Sequence, residues 1–168
     1  AILYTWWLGT RGAEAIADVL FGDYNPSGKL PISFPRTEGQ IPIYYNHYST
    51  GRPAMNDSDR FYRSAYTDLS LYPKYAFGFG LSYTSFSYGT ISLSKPSVKP
   101  TEKLTARITV TNTGNYDGEE TVQLYIRDLF GSVVRPVKEL KGFQKIFLKK
   151  GESKEITFTL SADDLRFY

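Results

Sequence analysis

The chain has 168 residues, 41% of them hydrophobic and 22% charged, a balance that belongs to a globular protein and excludes a disordered one. Twenty basic against 17 acidic residues leave a net charge of +3 with the signs interspersed, so no basic track exists for a phosphate backbone and nucleic acid is not expected as a partner. With zero cysteine a disulfide framework and a thiolate metal site are excluded while the redox compartment stays open, and no apolar run approaches the roughly 20 residues of a membrane span or has the make-up of a signal peptide.

The first element expected is a strand at Ile2-Leu3-Tyr4-Thr5-Trp6-Trp7, a short and nearly continuous apolar run of the kind covered on both faces in a parallel sheet. A helix follows: Thr10 suits its N-cap, Ala13, Ile16, Ala17 and Leu20 share one face that should pack on a sheet, and Gly22 stands where a left-handed residue ends a helix. After the turn residues Asn25-Pro26-Ser27-Gly28 a second strand is expected over Lys29 to Phe34, bracketed by Pro31 and Pro35. One strand-helix-strand unit cannot cover its own sheet, so residues 1–35 are read as the C-terminal end of a larger α/β domain, cut on its N-terminal side.

Residues 36–85 hold many aromatics among Gly39, Pro42, Gly51, Pro53, Pro73, Gly78 and Gly80, without sustained period. A connector of this length and composition should be laid over a surface rather than left as a loose linker. The chain has 14 Tyr, 11 Phe and 2 Trp; their rings suit both seams between domains and stacking on sugars, with packing the more general use.

From residue 86 the pattern alternates. Leu104, Ala106, Ile108 and Val110 point one way, Val122, Leu124 and Ile126 repeat the pattern after the turn Asn112-Thr113-Gly114-Asn115, and Ile156, Phe158 and Leu160 repeat it after Lys150-Gly151-Glu152. Ile91 and Leu93 supply a first strand whose phase slips near Gly89, as a bulge would cause, and Leu140 to Leu148 supplies another whose inward face is ambiguous. About five strands are expected over residues 86–168, against roughly seven in an immunoglobulin-like sandwich.

The segment Gly22-Asp23-Tyr24-Asn25-Pro26-Ser27-Gly28-Lys29-Leu30-Pro31-Ile32-Ser33-Phe34-Pro35 resembles the one that closes the second domain of glycoside hydrolase family 3 β-glucosidases. Gly39-Gln40-Ile41-Pro42-Ile43-Tyr44-Tyr45-Asn46, Thr50-Gly51-Arg52-Pro53, Phe77-Gly78-Phe79-Gly80-Leu81-Ser82-Tyr83-Thr84 and Leu140-Lys141-Gly142-Phe143 resemble further signatures in the family's order. The resemblance implies a catalytic (β/α)8 barrel, an α/β sandwich domain and a fibronectin type III-like domain, of which this chain holds the end of the second (1–35), an interdomain connector (36–85) and an incomplete third (86–168). It implies retaining, exo-acting hydrolysis of terminal β-glucosyl residues by two carboxylates roughly 5 Å apart. In the family these are an Asp of the barrel and a Glu early in the second domain, so neither catalytic residue is expected in this chain. The partners implied are the N-terminal domains of the same protein and a β-glucoside oligosaccharide, with no cofactor and a periplasmic or secreted location.

Two departures from the family stand out. The loop Gly9-Thr10-Arg11-Gly12-Ala13-Glu14 carries Arg11 and Glu14 where relatives are Gly-rich, and the family continues with a strand pair after Leu165-Arg166-Phe167-Tyr168.

Among polar residues, Glu14 and Asp18 form an i, i+4 pair on the polar face of the helix, and Asp57, Asp59 and Asp68 fall in turn-rich chain. The single histidine, His47, cannot make a metal site or a triad alone. Tyr45, His47 and Arg52 offer stacking and hydrogen bonds to hydroxyls and are the candidates for a substrate-rim loop, with a structural seam as the competing role. Gly78-Phe79-Gly80 lacks the third glycine and the helix of a phosphate loop, and Asn56-Asp57-Ser58 fits a glycosylation acceptor. A non-catalytic carbohydrate-binding or adhesion module remains the alternative function.

Overall fold

The structure is a computed structural model in which residues 2–166 are described. It divides into two compact units, one formed by the chain up to Ser27 with Leu81–Glu120 and Lys145–Ser161, the other by Gly28–Gly80 and Thr121–Gln144 with the chain from Ala162.

In the first unit the helix α1 spans Gly12–Phe21. It ends as its sequence dictates: Gly22 adopts φ +89°, a conformation that is open to glycine at no steric cost, and the amides of Gly22 and Tyr24 both bond to the Asp18 carbonyl. The N-cap is Arg11 rather than Thr10, and no side chain caps it.

Of the strand-helix-strand unit expected over 1–35, only the helix forms as a regular element among the described residues. Residues 2–7 pair with no strand among the described residues, and Ile2 and Trp7 are exposed. The helix face expected on a sheet is likewise only partly covered, with Ile16 and Ala17 half-buried but Ala13 and Leu20 exposed. In the second unit, Lys29 to Phe34 bends at Pro31 and Ile32 and bonds to the 74–79 segment at two points, Leu30 with Phe79 and Gly78, and Phe34 with Lys74 and Tyr75. Pro31 and Pro35 have no amide to donate, which keeps these bonds from growing into a ladder.

The β-sandwich has two sheets. Around β3 (Leu104–Asn112) lie β1 (Phe86–Tyr88), β2 (Ser92–Leu93) and β6 (Ser153–Leu160), all antiparallel to it. The slip anticipated near Gly89 is a bulge: Tyr88 faces Val110 and Ser92 faces Arg107, so residues 89–91 on one side stand against residues 108 and 109 on the other. That is why the expected first strand is observed as two short ones. The second sheet is β4 (Gly118–Ile126) with β5 (Glu139–Leu148).

Burial follows the alternation. In the first unit Ala106, Val110, Ile156 and Leu160 are buried on β3 and β6, and Ile146 and Leu148 settle which face of β5 points inward. In the second unit Val122 and Leu124 are buried on β4. Asn112, at the end of β3, is wholly buried and fully bonded: its Oδ1 accepts from the Thr84 hydroxyl (2.7 Å) and the Gly114 amide (3.2 Å), and its Nδ2 donates to the Tyr116 (2.8 Å) and Leu148 (3.1 Å) carbonyls.

Between Arg36 and Ser85 the only regular element is a 3-10 turn at Glu38–Gln40. Buried Gln40 orders what precedes and follows it, accepting from the Arg36 amide (2.7 Å) and donating to the Ser70 carbonyl (2.9 Å). Gly78-Phe79-Gly80 is shaped by close approach: Gly78 has φ +80°, and a Cβ on Gly80 would stand 2.1 Å from the Gly28 carbonyl oxygen.

Candidate functional site

The first unit contains a junction built by the motif residues themselves. Asn25 reads the turn at Ser82 and Tyr83, its Oδ1 accepting from the Ser82 hydroxyl and the Tyr83 amide at 2.8 Å each, while its Nδ2 donates to the Asp117 carbonyl (2.9 Å). Glu119 gathers the neighbouring groups, accepting from the Tyr24 hydroxyl (2.9 Å) and Ser27 hydroxyl (3.2 Å) and pairing with the Lys145 ammonium (2.7 Å). These partners, Lys145 first, hold the Glu119 carboxyl below its ordinary value, and Glu119 in turn raises Lys145. Tyr24, Asn25 and Ser27 are thus structural tethers.

The rim candidates all lie in the second unit, each with contacts of its own. Half-buried Tyr45 stacks on Phe77 (4.1 Å between centroids, 14° between planes) and meets the edge of Tyr125 (6.0 Å, 71°). Its hydroxyl accepts from the Leu140 amide (3.3 Å), and the Lys138 ammonium lies 5.4 Å from the centre of the Tyr125 ring. One face of the Tyr45 ring is therefore committed to packing, and burial raises the Tyr125 phenol. His47 is exposed; its carbonyl accepts from the Val137 amide (2.9 Å) and its Nδ1 lies 3.1 Å from the Tyr48 carbonyl. Arg52 is exposed as well, with its carbonyl bonded to the Ser64 amide (2.8 Å) next to a parallel bridge between Pro53 and Ser64.

A feature that sequence reasoning missed lies just beyond Arg52. Asn56 accepts from the Ser58 (2.9 Å) and Asp59 (3.1 Å) amides, and the Asp57 carboxylate accepts from the Leu71 amide (2.8 Å), the main reason that its pKa lies below the ordinary 3.8. Arg60 reaches the Asp57, Tyr66 and Thr67 carbonyls with its guanidinium. The cluster of Asn, Asp and Ser foretold turns, but a guanidinium acting as the hub of a loop leaves no periodic signal.

The carboxylates offer little acid-base chemistry. Glu14 pairs with Arg11 (2.7 Å), Asp59 with Arg63 (3.2 Å) and Glu102 with Lys95 (2.9 Å), while buried Glu120 accepts from the Tyr88 hydroxyl (2.7 Å). A glycosidase acid needs a raised pKa, whereas Asp57, Glu102 and Glu119 are all shifted down by their partners. Among the described residues no group of three or more His, Cys, Asp or Glu could hold a metal, and no helix is long and apolar enough to cross a membrane.

Residues 1–83 match the family model described as glycosyl hydrolase family 3 C-terminal domain, and residues 120–168 match the fibronectin type III-like domain. The chain is 53% identical over 168 residues to a periplasmic β-glucosidase of Salmonella typhimurium, covering 100% of the chain and 22% of that protein. It is 46% identical over 165 residues to a β-xylosidase of Formosa agariphila, covering 98% of the chain and 22% of that protein. Among solved structures it resembles the β-glucosidase of Listeria innocua in complex with gluconolactone, with TM-score 0.91, 44% identity, and 97% of this chain and 23% of that chain covered. The chain therefore spans about a fifth of the length of these relatives.

Proposed function

The chain belongs to glycoside hydrolase family 3, and from that premise we propose that it is the C-terminal portion of a retaining, exo-acting β-glucosidase whose two catalytic carboxylates lie in the family's preceding domains. The observation that carries this reading is similarity along the whole chain to glycosidases that are several times longer. It is supported from within by the carboxylates described above, which are engaged in ion pairs and hydrogen bonds, with Asp57, Glu102 and Glu119 held below their ordinary values, opposite to what a general acid needs.

In this reading residues 1–35 end the α/β domain, 36–85 form an interdomain connector and 86–168 belong to the fibronectin-like sandwich. Tyr45 acts as a packing residue, while the exposed His47 and Arg52 keep the capacity to meet a substrate at the rim. The partners are the other domains of the same polypeptide and a β-glucoside; the location is periplasmic or secreted, as the periplasmic Salmonella relative supports. The experiment is hydrolysis of 4-nitrophenyl β-glucoside and β-xyloside by a complete polypeptide that carries this segment. Turnover of either sugar supports the reading, and its absence from correctly folded protein refutes it.

The exposed aromatics of the second unit, Tyr44, Tyr48, Phe61 and Tyr62, favour a second reading, a carbohydrate-binding module without catalysis. Titration of the chain with laminarin separates the two, since tight binding by the chain alone belongs to the module.

A further inference from the structure

The chain holds a single peptide in which Asp or Asn precedes Gly, Asp117-Gly118. Such a peptide is prone to rearrange, because glycine has no side chain to keep its own nitrogen away from the carboxyl carbon of the residue before it. The fold itself demands this glycine. Gly118, the first residue of β4, is buried, and a Cβ there would stand 2.7 Å from Asn25 Nδ2 and 3.0 Å from the Thr84 methyl. The side chain that ties the turn at Ser82 and Tyr83 thus leaves room for nothing larger.

Rearrangement needs a freedom at Asp117 that the first unit withholds. The side chain must turn about χ1, and the peptide about ψ, until the Gly118 nitrogen reaches the Asp117 carboxyl carbon. Both rotations are tied: Oδ1 accepts from the Lys150 amide (2.8 Å), which fixes the side chain, and the Asp117 carbonyl accepts from Asn25 Nδ2 (2.9 Å), which fixes the peptide. Lys150 is itself held in place. It is the second residue of a turn closed by the Glu152 amide on the Lys149 carbonyl (2.9 Å), with Gly151 at φ +77° in the third position, the arrangement of a type II turn.

We infer that Asp117-Gly118 is an isoaspartate-forming site gated by the bonds from Asn25 and Lys150. When they open, the Gly118 nitrogen attacks the protonated Asp117 carboxyl; a C–N bond forms, the nitrogen gives up its proton, water leaves, and a succinimide remains. Water then reopens the ring. Opening at the side-chain carbonyl restores Asp117, and opening at the main-chain carbonyl leaves the backbone running through the side-chain carbons, with no change in mass and no other reactant. The product is one methylene longer at the entry to β4, which moves the residue 117 carbonyl away from Asn25 and loosens the junction that protected it.

The test follows isoaspartate at residue 117 in the complete polypeptide that carries this segment, in buffer kept above pH 4.5, where the Glu119 carboxylate stays charged. Trypsin releases Ile108–Arg127, which holds no internal Lys or Arg, and electron-transfer fragmentation tells isoaspartate from aspartate at equal mass. Three variants separate the gates. Lys150→Pro deletes the amide donor and suits the second position of a type II turn, Lys150→Ala keeps the amide and loses the side chain, and Asn25→Ala frees the Asp117 carbonyl. Isoaspartate is expected in the wild type unfolded in guanidinium, at a rate about tenfold or more above that of the folded wild type. Lys150→Pro and Asn25→Ala should each raise the folded rate roughly three- to tenfold, and Lys150→Ala should match wild type. The inference is overturned if the unfolded chain forms no isoaspartate, if the folded wild type forms it as fast as the unfolded chain, or if a Lys150→Pro protein with a wild-type circular dichroism spectrum ages no faster than Lys150→Ala. Should Asn25→Ala fail to fold, the two Lys150 variants decide.

Discussion

Replacing Tyr45 separates packing from substrate contact at the residue where the sequence left both open. In Tyr45→Ala the stack on Phe77 and the edge contact with Tyr125 disappear, at about 0.5–1.5 kcal/mol for each ring pair. A half-buried ring also forfeits about half of the 1.5–3 kcal/mol that full burial of a large apolar side chain contributes, and the Leu140 amide loses its phenol acceptor, at about 0.5–1.5 kcal/mol. Because these contributions overlap, a total of about 2–4 kcal/mol is expected, with about 1 kcal/mol for Tyr45→Phe, which keeps the ring. Urea denaturation followed by circular dichroism gives the stability, and titration of the complete polypeptide with a sulfur-linked, non-hydrolysable cellobiose gives the affinity. The reasoning is refuted if Tyr45→Ala keeps wild-type stability while sugar affinity falls, because the ring would then serve the ligand and not the connector.

The buried Asn112 side chain should be as sensitive: Asn112→Ala removes four bonds and leaves the Tyr116 and Leu148 carbonyls without their donor, so a loss of about 3–5 kcal/mol is expected, and a loss below about 1 kcal/mol would mean that water replaces the amide. The Glu119 junction should be acid-labile. Since its folded-state pKa lies below the ordinary 4.5, its contribution is fully present above pH 4.5 and is lost as pH falls through the depressed folded value. The hydrogen-exchange protection of Tyr24, Asn25 and Ser27, taken relative to the intrinsic exchange rate at each pH, should therefore fall on acidification in the wild type, and an equal fall in Glu119→Gln would assign the effect to other groups.

The sandwich was the most legible part of the sequence, because alternation is set by backbone geometry: Ala106, Val110, Ile156 and Leu160 were read as one face and are buried. Even the bulge near Gly89 showed as a slip of phase. The strands expected at 2–7 and 29–34 were less secure, since an apolar run states that a segment is to be covered and not what covers it. Over Lys29 to Phe34 the two prolines already argued against a continuous ladder. The site was read least well. Tyr45 announced an aromatic contact but could not say whether with Phe77 or a sugar, and the loop around Phe61 and Tyr62 depends on a positive φ and on the reach of Arg60, neither of which is encoded by local residue pattern.

The most direct test of the account is an assay of this chain alone, purified to constant background, on 4-nitrophenyl β-glucoside beside the complete family 3 polypeptide that carries it. The account predicts turnover by the complete polypeptide and none by the chain. Hydrolysis by the chain itself that disappears when Glu14, Asp57 or Glu119 is changed to its amide would place a catalytic carboxylate within these residues and contradict it.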